Sequence, residues 1–408
     1  MARIAVIGAG VSGLTTAWLL SRDHEVHVLE REDRLGGHTH THHLEDGTAV
    51  DSGFIVHNRA TYPLFIRLME ALGVATGPSD MSFAYHGPDQ AWCSRGLNGV
   101  LARRRNLASP RYWAFWREVV RFNALGRRLL ETGMLEEPLG GLLDREGFTE
   151  DFRRWYLLPM AGAVWSTTPE EMAAFPAATL LRFFENHGFL GLATQHPWRT
   201  IPGGTSRYLE PLVRPFRDRV RTGVAGLKVR RTALGVEVRT EGAGPEPFDH
   251  AVFACHGDQV LPLLADADPL EREVLGAFGS HRNETLLHAD PSLLPAARRG
   301  WASWNVREAG PGRLRVTYHM NRLQPLGTSR DLFVSLNETD AVAPDRVLRR
   351  MAYAHTRYDL AAVRAQARWA EVSGRRGVHF AGAYWRHGFH EDGVWSGVRV
   401  ARALGVDW

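Results

Sequence analysis

The first thirty residues carry a glycine pattern that few folds can accommodate. An apolar run over residues 4–7 is followed by Gly8, Gly10 and Gly13 at the G-x-G-x-x-G spacing. The run is typical of a buried parallel strand. The glycines allow a tight turn, a close approach of the backbone to a pyrophosphate, and packing of the next helix. We therefore predict a strand, a helix over residues 11–20, and a dinucleotide bound at the N-terminus of that helix.

A second strand and an acidic residue complete this unit. Residues 26–29 predict the strand, and Glu30 follows at the distance where a carboxylate binds a ribose hydroxyl. Beyond it, the stretch Arg34-Leu-Gly36-Gly37 suits another pass of the backbone beside the pyrophosphate. This extension resembles the R-x-G-G element of FAD enzymes of the amine oxidase and phytoene desaturase superfamily. An ordinary Gly-Gly loop is the alternative.

Length and composition bound the remaining possibilities. A chain of 408 residues exceeds one usual domain, so two domains are expected. The formal net charge of +4 does not argue for nucleic acid, and we find no nucleic-acid-binding motif. Cys93 and Cys255 give neither a disulfide framework nor a paired metal motif, which fits a reducing compartment. Without an apolar stretch of membrane-spanning length, we expect a cytoplasmic enzyme, and peripheral contact with the inner face of the membrane stays open.

Two clusters of basic residues have alternative interpretations. His38, His40 and His42 would share one face of a strand, but no carboxylate or cysteine joins them at ligand spacing, so we predict no metal site. The arginines within residues 102–105 fit either a solvated face or a basic patch that faces a membrane, and the solvated face is favoured.

The C-terminal motif favours FAD over a nicotinamide cofactor. Residues 377–383 predict a strand that reaches Gly382, and a helix is expected to start at Gly393 with Asp392 as its cap. The motif resembles the end of the superfamily's FAD enzymes, where a glycine lies beside the ribityl chain and the last helix points its N-terminus at flavin N1. Reduced flavin carries negative charge there, and a helix N-terminus stabilises an anion.

Motifs along the whole chain support a narrower resemblance. They include G-A-G-V-S-G-L from Gly8, D-S-G-F-I-V from Asp51, P-M-A-G-A-V-W-S from Pro159, Y-H-M-N-R-L-Q from Tyr318 and G-F-H-E-D-G from Gly388. The chain resembles a bacterial family of FAD-dependent, amine-oxidase-like oxidoreductases and the flavin-binding N-terminal region of plant cyclopropane fatty acid synthases. The resemblance implies lipid acyl chemistry and a functional pairing with an acyl-chain methyltransferase.

The resemblance also implies the fold. We expect an α/β architecture, with an FAD-binding Rossmann-type parallel sheet and a second, mixed-sheet substrate domain that carries a helical insertion. The FAD-binding domain is predicted to be discontinuous, over residues 1–78, 200–262 and 370–408, and the substrate domain to comprise residues 79–199 and 263–369. The oligomeric state is left open.

The same motifs imply the cofactor-binding residues, which come from the glycine loops, the D-x-G segment, a residue near the adenine, and the C-terminal strand and helix. The set is Gly8, Gly10, Val11, Ser12, Gly13, Glu30, Arg31, Arg34, Gly36, Gly37, His38, Thr39, Gly53, Phe54, Ile55, Val224, Gly382, Ala383, Gly393, Val394 and Ser396. Because neither cysteine is placed beside the flavin ring, FAD is expected to bind non-covalently.

Catalytic and substrate-binding residues are predicted from their positions in the family motifs. Proton transfer near neutral pH needs a group such as histidine, and a hydrogen-bonded structural histidine is the alternative in each case. The catalytic candidates are His390, His187 and His319, with His256 as a further one. A long apolar tunnel is predicted to be lined by Met160, Trp165, Phe183, Phe184, Trp198, Trp304 and Tyr318.

Two departures from the superfamily weaken an amine oxidase interpretation. Ala383 stands where many amine oxidases have an acidic residue facing the cofactor, and the single lysine, Lys228, falls in the adenine half of the FAD domain rather than beside the flavin. We therefore predict FAD-dependent dehydrogenation of an apolar substrate, a fatty acyl chain, by hydride transfer to the flavin. A flavin amine oxidase or dehydrogenase, and a flavin-bound accessory subunit of a lipid methyltransferase, are the alternatives.

Overall fold

Two sheets of different kinds organise the chain. In the computed structural model, residues 1–133, 136–165, 167–191, 196–308 and 314–408 are described. The strands, numbered β1–β20 in chain order, are Arg3–Ile7, Glu25–Leu29, Thr41–His43, Ala49–Asp51, His57–Asn58, Gly77–Pro78, Phe83–His86, Ala91–Cys93, Trp198–Thr200, Val220–Arg221, Lys228–Thr232, Gly235–Arg239, Glu246–Phe248, His250–Phe253, Gly279–His288, Trp304–Glu308, Leu314–His319, Phe333–Leu336, Val347–Arg357 and Val378–Phe380. The α-helices, numbered α1–α16, are Val11–Leu20, Pro63–Ala71, Gly96–Val100, Pro110–Thr132, Leu139–Arg145, Glu150–Phe152, Leu158–Trp165, Pro169–Ala174, Ala177–Asn186, Leu209–Val213, Gly257–Leu263, Pro269–Leu275, Met320–Leu323, Leu360–Ala367, Trp369–Val372 and His390–Ala403.

The first sheet is parallel and has the strand order β10-β2-β1-β14-β20. β1 pairs in parallel with both β2 and β14, so the carboxyl ends of these strands lie at one edge. Nearly all residues of β1 and β14 are buried, as expected for a parallel sheet that is covered on both faces. Ligands of such sheets bind outside the carboxyl ends of the strands, and the glycine loop after β1 lies there.

The second sheet is mixed and has the order β19-β15-β18-β17-β16-β7-β8. β7 and β16 pair in parallel, and the other neighbouring strands are antiparallel. Helices α3–α9 lie between β8 and β9 in the chain and form the helical insertion. The predicted fold class, a Rossmann-type parallel sheet with a mixed-sheet unit and a helical insertion, is therefore confirmed. The predicted domain boundaries stay a prediction.

The last helix begins at His390, three residues before the predicted start. Asp392 is therefore not the cap residue but lies in the first turn of α16. Its carboxylate accepts a hydrogen bond from the backbone N–H of Phe389, the residue that precedes the helix, at 2.9 Å. An acidic residue can stabilise a helix N-terminus either from the cap position or from the third helical position. Asp392 acts from the third position, so the interpretation of Asp392 as the cap placed the start of the helix three residues too late.

Buried histidines make this fold sensitive to acid. Burial lowers the pKa of several histidines to about 3 or 4, among them His57, His187, His288, His379 and His390. These rings are neutral in the folded protein, whereas in the unfolded chain they take up a proton below pH 6.5. The free energy of unfolding is therefore not reduced by these histidines above pH 6.5, and it decreases as the pH falls towards 4.

We predict that the thermal unfolding temperature falls between about pH 7 and about pH 5, since each such histidine costs about 2 kcal/mol at pH 5. The buried acids Asp51 and Asp392, whose pKa values burial raises to about 7 and about 6, act in the opposite sense but are fewer. His57→Leu should lessen the fall, because both ring nitrogens of His57 lack a partner among the described residues. The exposed His43→Leu should not change it, and a constant unfolding temperature over this range would contradict the prediction.

Candidate active site

The first glycine loop has the geometry that a pyrophosphate requires. Gly8 has a φ of +104°, and a side chain at Gly13 would overlap the carbonyl oxygen of Gly8. At Gly10, by contrast, an added Cβ would meet no atom within 4 Å. The loop is therefore tightly closed on the protein side and open at Gly10, where Val11 and Ser12 begin α1 and direct their backbone N–H groups outward. These residues fit a dinucleotide.

The second glycine pair lies directly beside the first loop. The Gly36 N–H donates to the Ala9 carbonyl at 2.8 Å, and a Cβ on Gly37 would come within 3.2 Å of Gly10 Cα. Arg34 donates from Nη1 to the Gly37 carbonyl at 2.8 Å, which closes the turn. The two glycine stretches therefore form one backbone surface, as the R-x-G-G resemblance implies.

Glu30 is fixed at the end of β2, and Val224 lies next to it. The Glu30 carboxylate accepts hydrogen bonds from the N–H groups of Ala9, at 2.6 Å, and Glu32, at 2.9 Å. The Val224 N–H donates to the Glu30 carbonyl at 2.9 Å, so the predicted ribose and adenine contacts are adjacent. A carboxylate has about four acceptor sites, which leaves Glu30 two for ribose hydroxyls. Arg31, also predicted at this end, is exposed.

The C-terminal strand and helix complete the same surface. The Gly382 N–H donates to Ser396 Oγ at 3.0 Å, which ties the end of β20 to α16. A Cβ on Gly393 would lie 2.5 Å from Val11 Cγ1, so the first turns of α1 and α16 touch. Val394 is fully buried beside this contact. Ala383 is in a short 3-10 helix directly after Gly382.

Asp51 connects three distant segments at the edge of this surface. Its buried carboxylate accepts hydrogen bonds from the Thr205 N–H, the Thr41 hydroxyl and the Gln324 side-chain amide. Burial raises the pKa of Asp51 to about 7, although these hydrogen bonds oppose the rise. The D-x-G motif therefore contributes a structural acid. It also contributes Gly53, where any side chain would overlap the His38 carbonyl.

The D-x-G backbone runs alongside the second glycine pair. The Phe54 N–H donates to the His38 carbonyl at 2.7 Å, and Thr200 Oγ1 donates to the Ile55 carbonyl at 2.8 Å. The predicted residues Gly53, Phe54 and Ile55 thus lie between the glycine loops and β9. Nε2 of His38 is buried and has no partner within the described ranges, so it is available to a bound group.

His390 is held in place by three contacts. Its Nε2 lies 2.9 Å from Thr39 Oγ1 and 3.3 Å from Tyr208 Oη, and its ring stacks on Phe54 with centroids 3.6 Å apart. Burial lowers the pKa of His390 to about 3, so the imidazole is neutral at physiological pH. These contacts join α16 to the second glycine pair and the D-x-G segment. They favour the structural alternative for His390, and its catalytic role stays a prediction.

The other catalytic candidates lie in different surroundings. His187 bonds through Nδ1 to the Phe183 carbonyl at 2.9 Å, and its Nε2 lies 3.3 Å from Thr61 Oγ1. His319 lies 3.0 Å from Asp331 and packs on aromatic rings of a separate small apolar cluster. The structure therefore brings His187 near the predicted tunnel residues but does not bring His319 there.

Four of the predicted tunnel residues meet in one group of rings. Phe183 has its centroid 4.8 Å from that of Trp165 and 6.4 Å from that of Phe184, and the His187 ring stacks 6.0 Å from Trp198. Phe389, which precedes α16, lies 4.9 Å from Phe183. We call these six residues, Trp165, Phe183, Phe184, His187, Trp198 and Phe389, the aromatic cluster. All but the partly exposed Phe389 are buried.

The aromatic cluster is continuous with the predicted cofactor surface. Tyr62 has its ring centroid 6.4 Å from Trp198 and 6.5 Å from Phe54, and Phe54 stacks on His390. The remaining tunnel residues lie on other elements: Met160 is in α7, which packs on β16 and β17, and these strands carry Trp304 and Tyr318 with centroids 4.9 Å apart. An open tunnel through these layers stays a prediction.

A second group of histidines borders the same surface. The His38 ring lies 5.6 Å from His256, 5.4 Å from His355 and 5.2 Å from Tyr353, measured between centroids. Burial lowers the pKa of His38 well below its ordinary value and that of His355 to about 3. Within the described part of the chain, no group of side chains has the arrangement of a metal site. Spacing along the sequence does not predict this group, because its members come from three distant segments of the chain.

The comparisons with known proteins agree with this geometry. Residues 11–280 match the family described as flavin containing amine oxidoreductase. The chain belongs to this family. Membership confirms the predictions of FAD as the cofactor and of an FAD-dependent oxidoreductase. The resemblance to plant cyclopropane fatty acid synthases stays a prediction.

Individual relatives match the chain more narrowly. A flavin-dependent L-tryptophan oxidase of Lentzea aerocolonigenes is 53% identical over 49 residues, which span 12% of this chain and only 10% of that protein. The fold resembles that of a CLA-producing fatty acid isomerase from P. acnes, with a TM-score of 0.71 and 17% identity over 98% of both chains. It also resembles a putrescine oxidase bound to putrescine, with a TM-score of 0.72 and 14% identity over 99% of this chain and 98% of that one.

Glu30→Ala is expected to weaken FAD binding about 10- to 100-fold, since charge-assisted hydrogen bonds contribute about 1.5–3 kcal/mol. Equilibrium dialysis with flavin fluorescence measures the affinity. Glu45→Ala, which removes an exposed carboxylate from the turn between β3 and β4, is the matched control and should bind FAD as the parent does. Equal affinity of all three proteins would exclude Glu30 from the cofactor site.

FAD is expected to be released completely by acid precipitation, because no reactive thiol is available to hold it. Burial raises the pKa of Cys255 to about 12, so this residue stays a thiol, and Cys93 is buried with its Sγ 3.7 Å from the Trp301 carbonyl. Absorbance of the supernatant at the flavin maximum gives the released fraction. Flavin that stays with the denatured chain would show a covalent link.

Proposed function

We propose that the chain catalyses FAD-dependent dehydrogenation of an apolar substrate, a fatty acyl chain. The single observation that carries the proposal is the composition of the aromatic cluster, which reaches the predicted cofactor surface through Tyr62 and Phe54. Burial of an acyl chain against these rings contributes about 0.8 kcal/mol of binding free energy for each methylene group removed from water. It offers an ammonium group no free carboxylate.

The acidic side chains next to the cluster are all engaged by backbone N–H groups. Glu391 accepts from the N–H groups of Leu64, at 3.0 Å, and Phe65, at 2.9 Å, at the start of α2. Asp392 accepts from Phe389, and Asp51 from Thr205. Burial raises the pKa of each of the three carboxyl groups and so disfavours their charged form, and their oxygens are occupied by hydrogen bonds within the fold.

The three acids of the helical insertion closest in sequence to the aromatic cluster, Glu170, Glu171 and Glu185, are also unsuited to hold an amine. Glu170 and Glu185 are exposed. Glu171 takes part in the capping box at the start of α8, where its carboxylate accepts from the Thr168 N–H at 3.1 Å and from the Thr167 hydroxyl. An amine substrate would therefore need recognition by rings alone.

The residues of the chain have distinct roles in the proposed reaction. Bound FAD supplies the two-electron acceptor. The aromatic cluster would exclude water and position an allylic carbon, where loss of a hydride to the acceptor leaves a delocalised cation. Release of a proton from the adjacent carbon to a neutral imidazole, with His187 and His390 as the candidates, then completes the new double bond. His390 keeps Phe54 and Thr39 in register through its stacking contact and hydrogen bond, so its ring supports the segment that runs along the flavin.

Amine oxidation is the second candidate, and the named activity of one relative favours it. That relative is a tryptophan oxidase, although its match covers a small part of each protein. The shared fold does not choose between the two, because proteins named as a fatty acid isomerase and as a putrescine oxidase both have it. The choice therefore depends on the side chains of the cluster.

The test is to mix the FAD-loaded protein anaerobically with two sets of compounds and to follow the flavin absorbance. One set is unsaturated fatty acids and phospholipids, and the other is tryptophan and putrescine. Bleaching of the flavin by lipid alone supports the proposal, and bleaching by an amine alone overturns it. Mass spectrometry of membrane lipids from cells with and without expression identifies the product. Turnover by the purified chain alone would exclude an accessory subunit.

Phe183→Leu is expected to raise the KM for an acyl substrate about 5- to 10-fold with little change in kcat, because the ring contributes uniform binding. Phe183 has centroids of three other rings within 5 Å, those of Trp165, His187 and Phe389. Phe333→Leu is the control, since this buried ring belongs to the separate apolar cluster. Equal KM values for both variants and the parent would remove Phe183 from the substrate site.

A further inference from the structure

One stretch at the start of the helical insertion carries a strong local excess of positive charge. Residues 91–130 contain nine arginines and one acidic residue, Glu118, whereas the complete chain of 408 residues has a net charge of only +4. This stretch forms α3, a 3-10 helix over Arg104–Ala108, and α4. So strong a local imbalance needs an explanation other than solubility.

The same stretch exposes large apolar side chains. Leu97 is 82% exposed, Leu107 64%, Val120 52% and Trp113 42%. Only two other large hydrophobic residues of the described part are comparably exposed, Met1 at the N-terminus and Leu234 in a hairpin turn. Four such residues within 24 positions form a patch rather than scattered exposure.

The exposed residues of α4 lie on one face. Trp113, Arg117 and Val120 follow one another at helical spacing and line a shallow groove together with Pro110 and Trp116. The Trp113 indole N–H donates to the Leu107 carbonyl at 3.0 Å, which fixes the ring beside the 3-10 helix. Apolar and aromatic side chains are thus held in one continuous surface.

The neighbouring arginines keep their charge available. Arg103 and Arg105 donate to the backbone carbonyls of Pro88 and Asp89, and Arg104 donates to the Asn98 side chain. The hydrogen-bond partners described for the three are therefore neutral groups. The exposed guanidinium groups of Arg104 and Arg105, and the partly exposed one of Arg103, therefore give this surface net positive charge.

The one acid of the stretch does not neutralise this surface. Glu118 has a side chain only 15% exposed, pairs with Arg121 at 3.2 Å and accepts a hydrogen bond from the Thr149 hydroxyl. It faces the neighbouring helices, and the exposed groove of α4 contains no acid.

We propose that this face docks peripherally on an anionic lipid membrane. We call it the α4 face and define it by Leu97, Arg103, Arg104, Arg105, Leu107, Trp113, Arg117 and Val120. Arginines attract anionic headgroups within about a Debye length, while tryptophan and aliphatic side chains enter the boundary between headgroups and acyl chains. A nucleic acid would satisfy the charges but leave Leu97, Leu107 and Val120 without a partner. None of the helices in the described ranges has the length and hydropathy of a membrane span.

The experiment is co-sedimentation of the full-length, FAD-loaded protein with vesicles. Vesicles of phosphatidylglycerol and phosphatidylcholine should bind the protein, vesicles of phosphatidylcholine alone should bind it much less, and added salt should weaken the binding. Absence of binding to the anionic vesicles would overturn the proposal. Binding is measured without substrate, so the result does not depend on the proposed function.

Two variants test whether the α4 face makes the contact. R103Q/R104Q/R105Q and L107S/W113S should each reduce binding at least about tenfold. Matched controls lie on the parallel-sheet side of the chain: R214Q/R217Q/R219Q removes three arginines within six residues, and L234S removes an exposed leucine. Both controls should bind as the parent does. The flavin spectrum and the unfolding temperature confirm that each variant is folded.

Three further outcomes would overturn the assignment. Variants of the α4 face that bind vesicles like the parent would place the membrane contact elsewhere. Binding of a DNA duplex that depends on these residues, without vesicle binding, would assign the face to nucleic acid. A concentration-dependent dimer that is lost in L107S/W113S would assign it to a second copy of the chain.

Discussion

Close packing of two helices at a few glycines is the constraint on which the candidate site depends. A Cβ on Gly393 would lie 2.5 Å from Val11 Cγ1, and one on Gly397 would lie 2.9 Å from the Ser12 carbonyl. Because these positions carry no side chain, α1 and α16 meet at their first turns. Two helix N-termini then lie at the carboxyl edge of the parallel sheet, and both favour an anionic ligand there. Larger residues would separate them.

Buried carboxylates hold the segments around that edge. Asp51 joins β4 to the residues after β9 and to Gln324, and Glu391 joins α16 to the start of α2. Each carboxylate is stabilised by neutral hydrogen-bond donors, which are backbone N–H groups for Glu391 and a backbone N–H, a hydroxyl and an amide for Asp51. The consequence for recognition is that the interior holds acids without free charge. In the proposed function, selection of a substrate therefore rests on apolar contact and shape.

Short sequence motifs were sufficient to predict the glycine loops and the strand and helix next to them. The glycine loop, the second glycine pair and Glu30 follow one another within thirty residues, and their spacing alone specifies strand, turn and helix. The start of α16 was misplaced because Asp392 satisfies the helix N-terminus from within the first turn. Tyr208 and Tyr353 were missed, since their contacts with His390 and His40 join residues more than 180 positions apart. Such pairings are set by topology, which spacing does not encode.

The position of α4 connects the two proposals physically. Its outer face carries Trp113 and Val120, and its inner face packs on α9, where a Cβ on Gly126 would lie 2.9 Å from Leu181. α9 also carries Phe183 of the aromatic cluster, so one layer of helices separates the exposed face from that cluster. An acyl chain that passes through water loses about 0.8 kcal/mol for each methylene exposed. Entry from a membrane avoids that cost, whereas a small amine gains nothing from it. A membrane-docking face would therefore favour binding of an acyl substrate, whereas it would not favour binding of a small amine.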